Sequence, residues 1–189
     1  MRTTITAITR RFLSHLRSFF IEGRIILQRP QNSQLWYSNM MEQDVVYLRQ
    51  AIENSRRSME EGNFPAGAVV VKNKTILSSE ISSPFPNLFH ADSKAVTKAF
   101  EQNGPLTGAT LYIGLESCLM CIGVAYWSGI RRIVYAVPKS LVSGSYYETA
   151  EDTSVLMTKF NEPIERIHIS ELQQDALDII KEWEKQHGL

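Results

Sequence analysis

The sequence predicts a single α/β domain. Three observations carry that expectation: strand-like and helix-like stretches alternate from about residue 66 onward, the strand-like runs are short and rich in β-branched residues, and Gly129 and Pro138 end a helix and a strand in turn. With 189 residues, 43% of them apolar, the chain can bury one sizeable core, and two ordinary domains are not expected.

From Thr3 to about Phe20, Ile5, Ile8, Phe12, Leu16 and Phe19 recur at spacings of three and four, with Arg10, Ser14 and Arg17 between them. This pattern predicts a basic amphipathic helix. It suits a transit peptide or a membrane-surface anchor, and equally an extension without fixed structure or a chain start ahead of a compact domain at Met40 or Met41. Arg29-Pro30-Gln31-Asn32-Ser33 has the composition of a linker, so residues 1–40 are expected to form a basic extension and residues 41–189 the domain.

Val45, Leu48, Ala51, Ile52 and Met59 then mark a helix. Ala66–Val71 and Thr75–Leu77, separated by Lys72-Asn73-Lys74, predict a two-stranded hairpin. A loop around Pro84 and Pro86 leads to a helix over 91–102, a strand over 109–113, a helix over 118–128 ended by Gly129, and a strand over 132–137 closed by Pro138. Residues 140–161 show little periodicity beyond an apolar patch at Val155, Leu156 and Phe160. A strand at 166–169 precedes a last helix carrying Leu172, Ala176, Ile179, Ile180 and Trp183, with Ser170 and Gln173 spaced as a capping box.

Formal charge is zero overall, but residues 1–40 hold six Arg against Glu22 alone, so the remainder is net negative. Residues 140–189 hold ten acids and four Lys or Arg, a poor surface for a polyanion. No apolar run approaches the roughly 20 residues needed to cross a bilayer, and no signal-peptide cleavage pattern follows one. A soluble cytoplasmic protein is the expectation, with organelle targeting left open by the N-terminal segment. Two cysteines three residues apart cannot form the disulfide framework of a secreted module.

Cys118 and Cys121 open a predicted helix directly after a strand, where exposed N–H groups and the helix dipole favour thiolates. That arrangement suits a metal site and also a redox pair. His90, 28 residues earlier and likewise just before a helix, adds a third donor and favours the metal. Three protein ligands make the open kind of zinc site that catalysis uses. Asp92, two residues beyond His90, is a carboxylate placed to move protons there, unless it only complements the helix dipole.

These residues, with Phe64-Pro65-Ala66-Gly67-Ala68, His90-Ala91-Asp92, Cys118-Leu119-Met120-Cys121 and Gly129-Ile130-Arg131-Arg132-Ile133, resemble the cytidine deaminase-like family over about residues 43–137. The similarity lies toward its guanine, nucleoside and tRNA adenosine deaminases. It implies a three-layer α/β/α fold with a mixed sheet of about five strands and a homodimer. It also implies Zn2+ on His90, Cys118 and Cys121, with Asp92 as the catalytic proton shuttle and Ser82 and Ala91 at the substrate. Three positions depart from the family pattern. Asp92 replaces Glu of H-x-E, which retracts the carboxylate by about 1.3 Å for a C–C bond of about 1.5 Å. Ser117 replaces the Pro before Cys118 and offers a hydroxyl suited to capping the helix, and Ser82 falls where many relatives have Asn.

The implied function is hydrolytic deamination of a small-molecule base or nucleoside, with Trp127, Tyr146 or Tyr147 available to stack on it and tRNA disfavoured by charge. The competing expectation, which the departures support, is a catalytically impaired zinc protein serving as partner or scaffold, as in a tRNA adenosine deaminase assembly.

Overall fold

The structure, a computed structural model, describes residues 17–21, 24–28, 33–149 and 151–189, with side chains from Met40 onward. The chain divides into two compact units, residues 1–43 and 44–189.

In the first unit β1 (Arg17–Ile21) pairs antiparallel with β2 (Arg24–Gln28), in a register running from Arg17↔Gln28 to Ile21↔Arg24. The amphipathic helix predicted through Phe20 is therefore wrong over its last residues. Phe19-Phe20-Ile21 faces Arg24-Ile25-Ile26, and such aromatic and β-branched runs prefer a pleated ladder to a helix. The rest of that prediction, and linker residues 29–32, lie outside the described residues.

Helix α1 (Ser33–Glu60) begins earlier than its apolar pattern indicated. After it come β3 (Gly67–Lys72) and β4 (Thr75–Ile81), α2 (Ala91–Asn103), β5 (Thr110–Leu115), α3 (Leu119–Ser128), β6 (Arg132–Val137), α4 (Ser154–Thr158), β7 (Glu165–His168) and α5 (Gln173–His187). The strands form one mixed sheet in the order β4-β3-β5-β6-β7. Strand β3 is antiparallel to both β4 and β5, whereas β5, β6 and β7 run parallel. Asn73 and Lys74 both have positive φ, 51° and 65°, the backbone of the tight turn whose twist matches a hairpin.

Helices cover both faces, and the two-residue period of the strands assigns the sides. Val69, Val71, Tyr112 and Val134 pack with Leu48 and Ala51 of α1 and Ile180 of α5. Their neighbours Ala68, Val70, Leu111 and Ile133 pack with Ala95 and Ala99 of α2 and Ile122 of α3. Helix α1 lies so close that a Cβ on Gly67 would meet the Ala51 carbonyl oxygen at 2.3 Å. A buried network also ties α1 to the sheet: Arg132 donates to both Asp44 carboxylate oxygens at 2.9 and 2.6 Å, and the Tyr112 hydroxyl donates to Oδ1 at 2.8 Å.

The predicted capping box before α5 does not form. Ser170 instead opens a 3-10 turn, Ser170–Leu172, and Leu172 is the residue at the helix N-cap, with no side-chain cap. In α4 the side chain that enters the core is Met157, 1% exposed, while Val155 and Leu156 of the predicted patch face outward. Among the described residues no helix is long and apolar enough to cross a membrane.

Candidate metal centre and active site

Strands β4, β5 and β6 all point the same way, so their C-terminal ends share one edge of the sheet, the edge at which open α/β sheets bind ligands. Two helices start there. His90 is the N-cap of α2 and Cys118 the N-cap of α3, both with extended backbone and neither side chain engaged in capping. Their side chains are thereby left to meet. His90 Nδ1 lies 3.4 Å from Cys118 Sγ and 3.5 Å from Cys121 Sγ, and all three donor atoms fall within 4.8 Å of one another.

The imidazole is oriented from behind. Its Nε2 lies 3.0 Å from the Asn87 carbonyl oxygen, which can only accept, so Nε2 carries the hydrogen and Nδ1 presents its lone pair to the sulfurs. A ring fixed by a backbone carbonyl is the usual support of a metal-bound histidine. Cys118 is pulled down to about 6, chiefly by the hydrogen bond with Cys121, with help from His90 and against the opposing effect of burial. Sharing that one proton drives Cys121 the other way, well above an ordinary thiol. His90 is raised by its hydrogen bond to Cys118, again against burial. Two buried sulfurs, one poised to ionise, and an imidazole with its free nitrogen toward both form a donor set that fits a soft or borderline divalent metal.

Asp92 sits one residue inside α2 and is 8% exposed. Its Oδ2 accepts from the Ser117 hydroxyl at 2.8 Å and its Oδ1 from the Ser93 N–H at 3.2 Å. The hydroxyl of Ser117 is thus spent on Asp92 and not on capping α3, as its position suggested. The cap comes from elsewhere: Glu148, from the aperiodic stretch after β6, accepts from the N–H groups of Leu119 and Met120 at 3.1 Å each. Burial raises the Glu148 carboxyl, but those N–H groups and its own outweigh it and hold the group below its ordinary value.

A cleft of about 40 Å3 lies over His90, Cys118 and Asp92. At roughly 10–15 Å3 per water, it has room for about three waters. Ala91 and Ser82, 1% and 3% exposed, line it, although the Ser82 N–H is occupied with the Ala66 carbonyl and the Ser58 hydroxyl. Tyr146 and Tyr147 also line it, but Trp127 does not and is 84% exposed. Tyr146 closes an aromatic wall, packed edge-on against Phe64 at 5.0 Å and Phe85 at 5.6 Å, with its hydroxyl donated to Glu184 of α5. Tyr147 donates to the Glu116 carbonyl at 2.9 Å.

Sequence reasoning missed Glu116, Asn87 and Glu148. Glu116 was legible as an acid abutting Ser117-Cys118. It is 7% exposed, lines the cleft, accepts from the Lys139 N–H at 2.9 Å and pairs with Arg166, tying the C-terminal ends of β5 and β6 to β7. Asn87 acts through its backbone, which no side-chain pattern announces. Its amide Oδ1, at the cleft, also has no hydrogen-bond partner among the described residues.

The family model for the cytidine and deoxycytidylate deaminase zinc-binding region matches residues 41–137. The chain is 34% identical over 103 residues to a probable cytosine deaminase of Schizosaccharomyces pombe, a match covering 53% of this chain and 64% of that protein. It is 33% identical over 112 residues to a tRNA-specific adenosine deaminase of Bacillus subtilis, covering 56% and 70%. Among solved structures, the guanine deaminase from Nitrosomonas europaea superposes with a TM-score of 0.62 at 18% identity, covering 74% of this chain and 83% of that one. A tRNA:A34 deaminase superposes at 0.57 and 20% identity, covering 71% and 99%. These two likenesses concern the fold, and the mixed five-stranded sheet with helices on both sides is the one they share.

Proposed function

The chain belongs to the cytidine and deoxycytidylate deaminase zinc-binding family, and from that premise we propose that it is a zinc-dependent hydrolytic deaminase of a free base or nucleoside. The observation that carries this reading is the convergence of His90, Cys118 and Cys121 within 4.8 Å beside the buried carboxylate of Asp92, at the floor of a cleft. In this reading the three residues hold the ion. Zinc, when bound, supplies the charge that makes water nucleophilic near neutral pH. Asp92 moves two protons in turn, the first from the attacking water to the ring nitrogen and the second from the added hydroxyl to the amino group that departs as ammonia, the role of Glu in the H-x-E signature. Aromatic side chains Phe64, Phe85 and Tyr146 exclude bulk water and offer planar surface to a planar base.

Charge favours a small substrate over tRNA. The segment that follows Tyr146 and Tyr147, which line the cleft, carries Glu148, Glu151 and Asp152, which repel a phosphate backbone. The narrow cleft requires Phe85 or Tyr146 to shift for a base to enter, and Phe85, 38% exposed, is the less encumbered. A cytoplasmic homodimer completes the proposal, with light scattering reading the assembly.

The test is ammonia release from guanine, adenine, cytosine, their nucleosides and tRNA by zinc-loaded protein. Turnover of a base or nucleoside, abolished in Asp92→Asn, is the expected result. No turnover by the wild-type chain together with turnover by Asp92→Glu would overturn the enzyme reading and favour a partner subunit.

A further inference from the structure

Asp92 and Ser117 are two of the positions where this chain departs from the family signature, in which Glu and Pro stand. They lie 25 residues apart on different elements, α2 and the turn from β5 into α3, and they touch. Ser117 Oγ donates to Asp92 Oδ2 at 2.8 Å, with the residues 5% and 8% exposed. A proline at 117 has no side-chain donor to offer. An aspartate at 92 is a carboxylate about one C–C bond, roughly 1.5 Å, shorter than glutamate. The first substitution supplies what the second lacks.

The alternative open to Asp92 shows why a restraint matters. An aspartate in the first turn of a helix competes for that helix's own free N–H groups, and Oδ1 already leans on the Ser93 N–H at 3.2 Å. Without a second contact, the carboxylate can swing onto α2 and away from the cleft. The Ser117 hydroxyl, next to Cys118 in the chain, holds the other oxygen, Oδ2, on the side of the cysteines. Resting on the deaminase reading, we propose that Ser117 is a positioning residue for Asp92, and that Asp92–Ser117 is a compensated pair standing in for Glu–Pro.

Two readouts test it. Crystal structures of zinc-bound wild type, Ser117→Ala and Ser117→Thr give the Asp92 side-chain conformation, and kinetics on the base that the wild type turns over give kcat and KM. Ser117→Ala is expected to keep its zinc and its KM, to show the Asp92 carboxylate turned toward α2, and to lose kcat by about tenfold or more, the weight of one hydrogen bond to a charged group. Ser117→Thr keeps the hydroxyl and should restore both. In the cycle of Asp92→Glu, Ser117→Pro and the double variant, Ser117→Pro should harm the Asp92 chain and not the Asp92→Glu chain. An unmoved Asp92 with unchanged kcat in Ser117→Ala, or additive effects around the cycle, would overturn the proposal. Should Ser117→Ala fail to fold, Ser117→Pro, suited to the approach to a helix, carries the same comparison. Should the wild type turn over nothing, the deaminase reading fails separately, and the Asp92 conformation alone decides the pairing.

Discussion

Replacing Glu148 by Gln tests whether a side chain from an aperiodic loop holds the start of α3, the helix that Cys118 opens. The N-cap of α3 is Cys118, whose side chain makes no capping hydrogen bond, so Leu119 and Met120 depend on the two Glu148 oxygens at 3.1 Å. Loss of an N-cap acceptor costs about 1 kcal/mol, and the charge at a helix N-terminus adds about 0.3–1 kcal/mol. Glu148 is an exposed residue, so solvent screening holds the dipole part near its lower end. Glutamine keeps one acceptor and loses the charge, which leaves about 0.5–1 kcal/mol, or about 1–4 °C in melting temperature for a chain of this size. Thermal unfolding of both proteins in a chelating buffer isolates this from metal release.

The pH dependence gives the sharper criterion. The folded-state pKa of Glu148 lies below its ordinary value, so its charge stabilises the fold above the unfolded-state pKa near about 4.3, and that stability is lost as pH falls through the folded value. The difference between wild type and Glu148→Gln should therefore be full above about pH 5 and shrink on acidification. Equal melting temperatures at pH 7, or a gap that does not change with pH, would refute the capping argument.

Elemental analysis should find one zinc per chain in the wild type and none held in Cys121→Ser, since removing one of three ligands leaves too few donors for a stable site. Gly67→Ala places a Cβ 2.3 Å from the Ala51 carbonyl and should destabilise the fold by about 1–3 kcal/mol or more, read by urea unfolding, because backbone and not a movable side chain is in the way. Asp44→Ala removes both hydrogen bonds that Arg132 makes to the buried Asp44 carboxylate, leaves it the longer contact of 3.6 Å to the exposed Glu165, and should cost about 3 kcal/mol, read the same way.

How much was legible in the sequence follows from where the information sits. The hairpin at 67–81, the helices beginning at Ala91 and Leu119 and the strand at 132–137 each carry their own periodicity and punctuation, and they emerge within one or two residues at most termini. Gly129, for example, ends α3 in the left-handed conformation that its position implied. The spacing of His90, Cys118 and Cys121 likewise pointed to their convergence, because helix starts at one sheet edge bring their first residues near one another. The failures share a cause. Arg17–Phe20 fits a helical spacing, but its pairing with Ile25–Gln28 is a contact between segments, invisible to a window read alone. Ser170 has the right neighbour for a capping box, yet Leu172, fully buried, takes the N-cap position.

The same distinction explains the residues around Asp92. A single-position reading treats Asp for Glu as a loss of reach and Ser for Pro as a gained helix cap. Only the fold shows that the two side chains meet at 2.8 Å and that the cap is delegated to Glu148, about 30 residues downstream. Once Glu148 serves α3, the Ser117 hydroxyl is free to bond Asp92, so the loop after β6 conditions the acid without touching it. Because Tyr146 and Tyr147 of that loop also form the wall and roof of the cleft, changes in residues 144–149 should alter helix start, carboxylate support and substrate access together. This coupling accounts for the weak periodicity of that stretch: its side chains are selected by three separate contacts around one site, which leaves no regular apolar face to read.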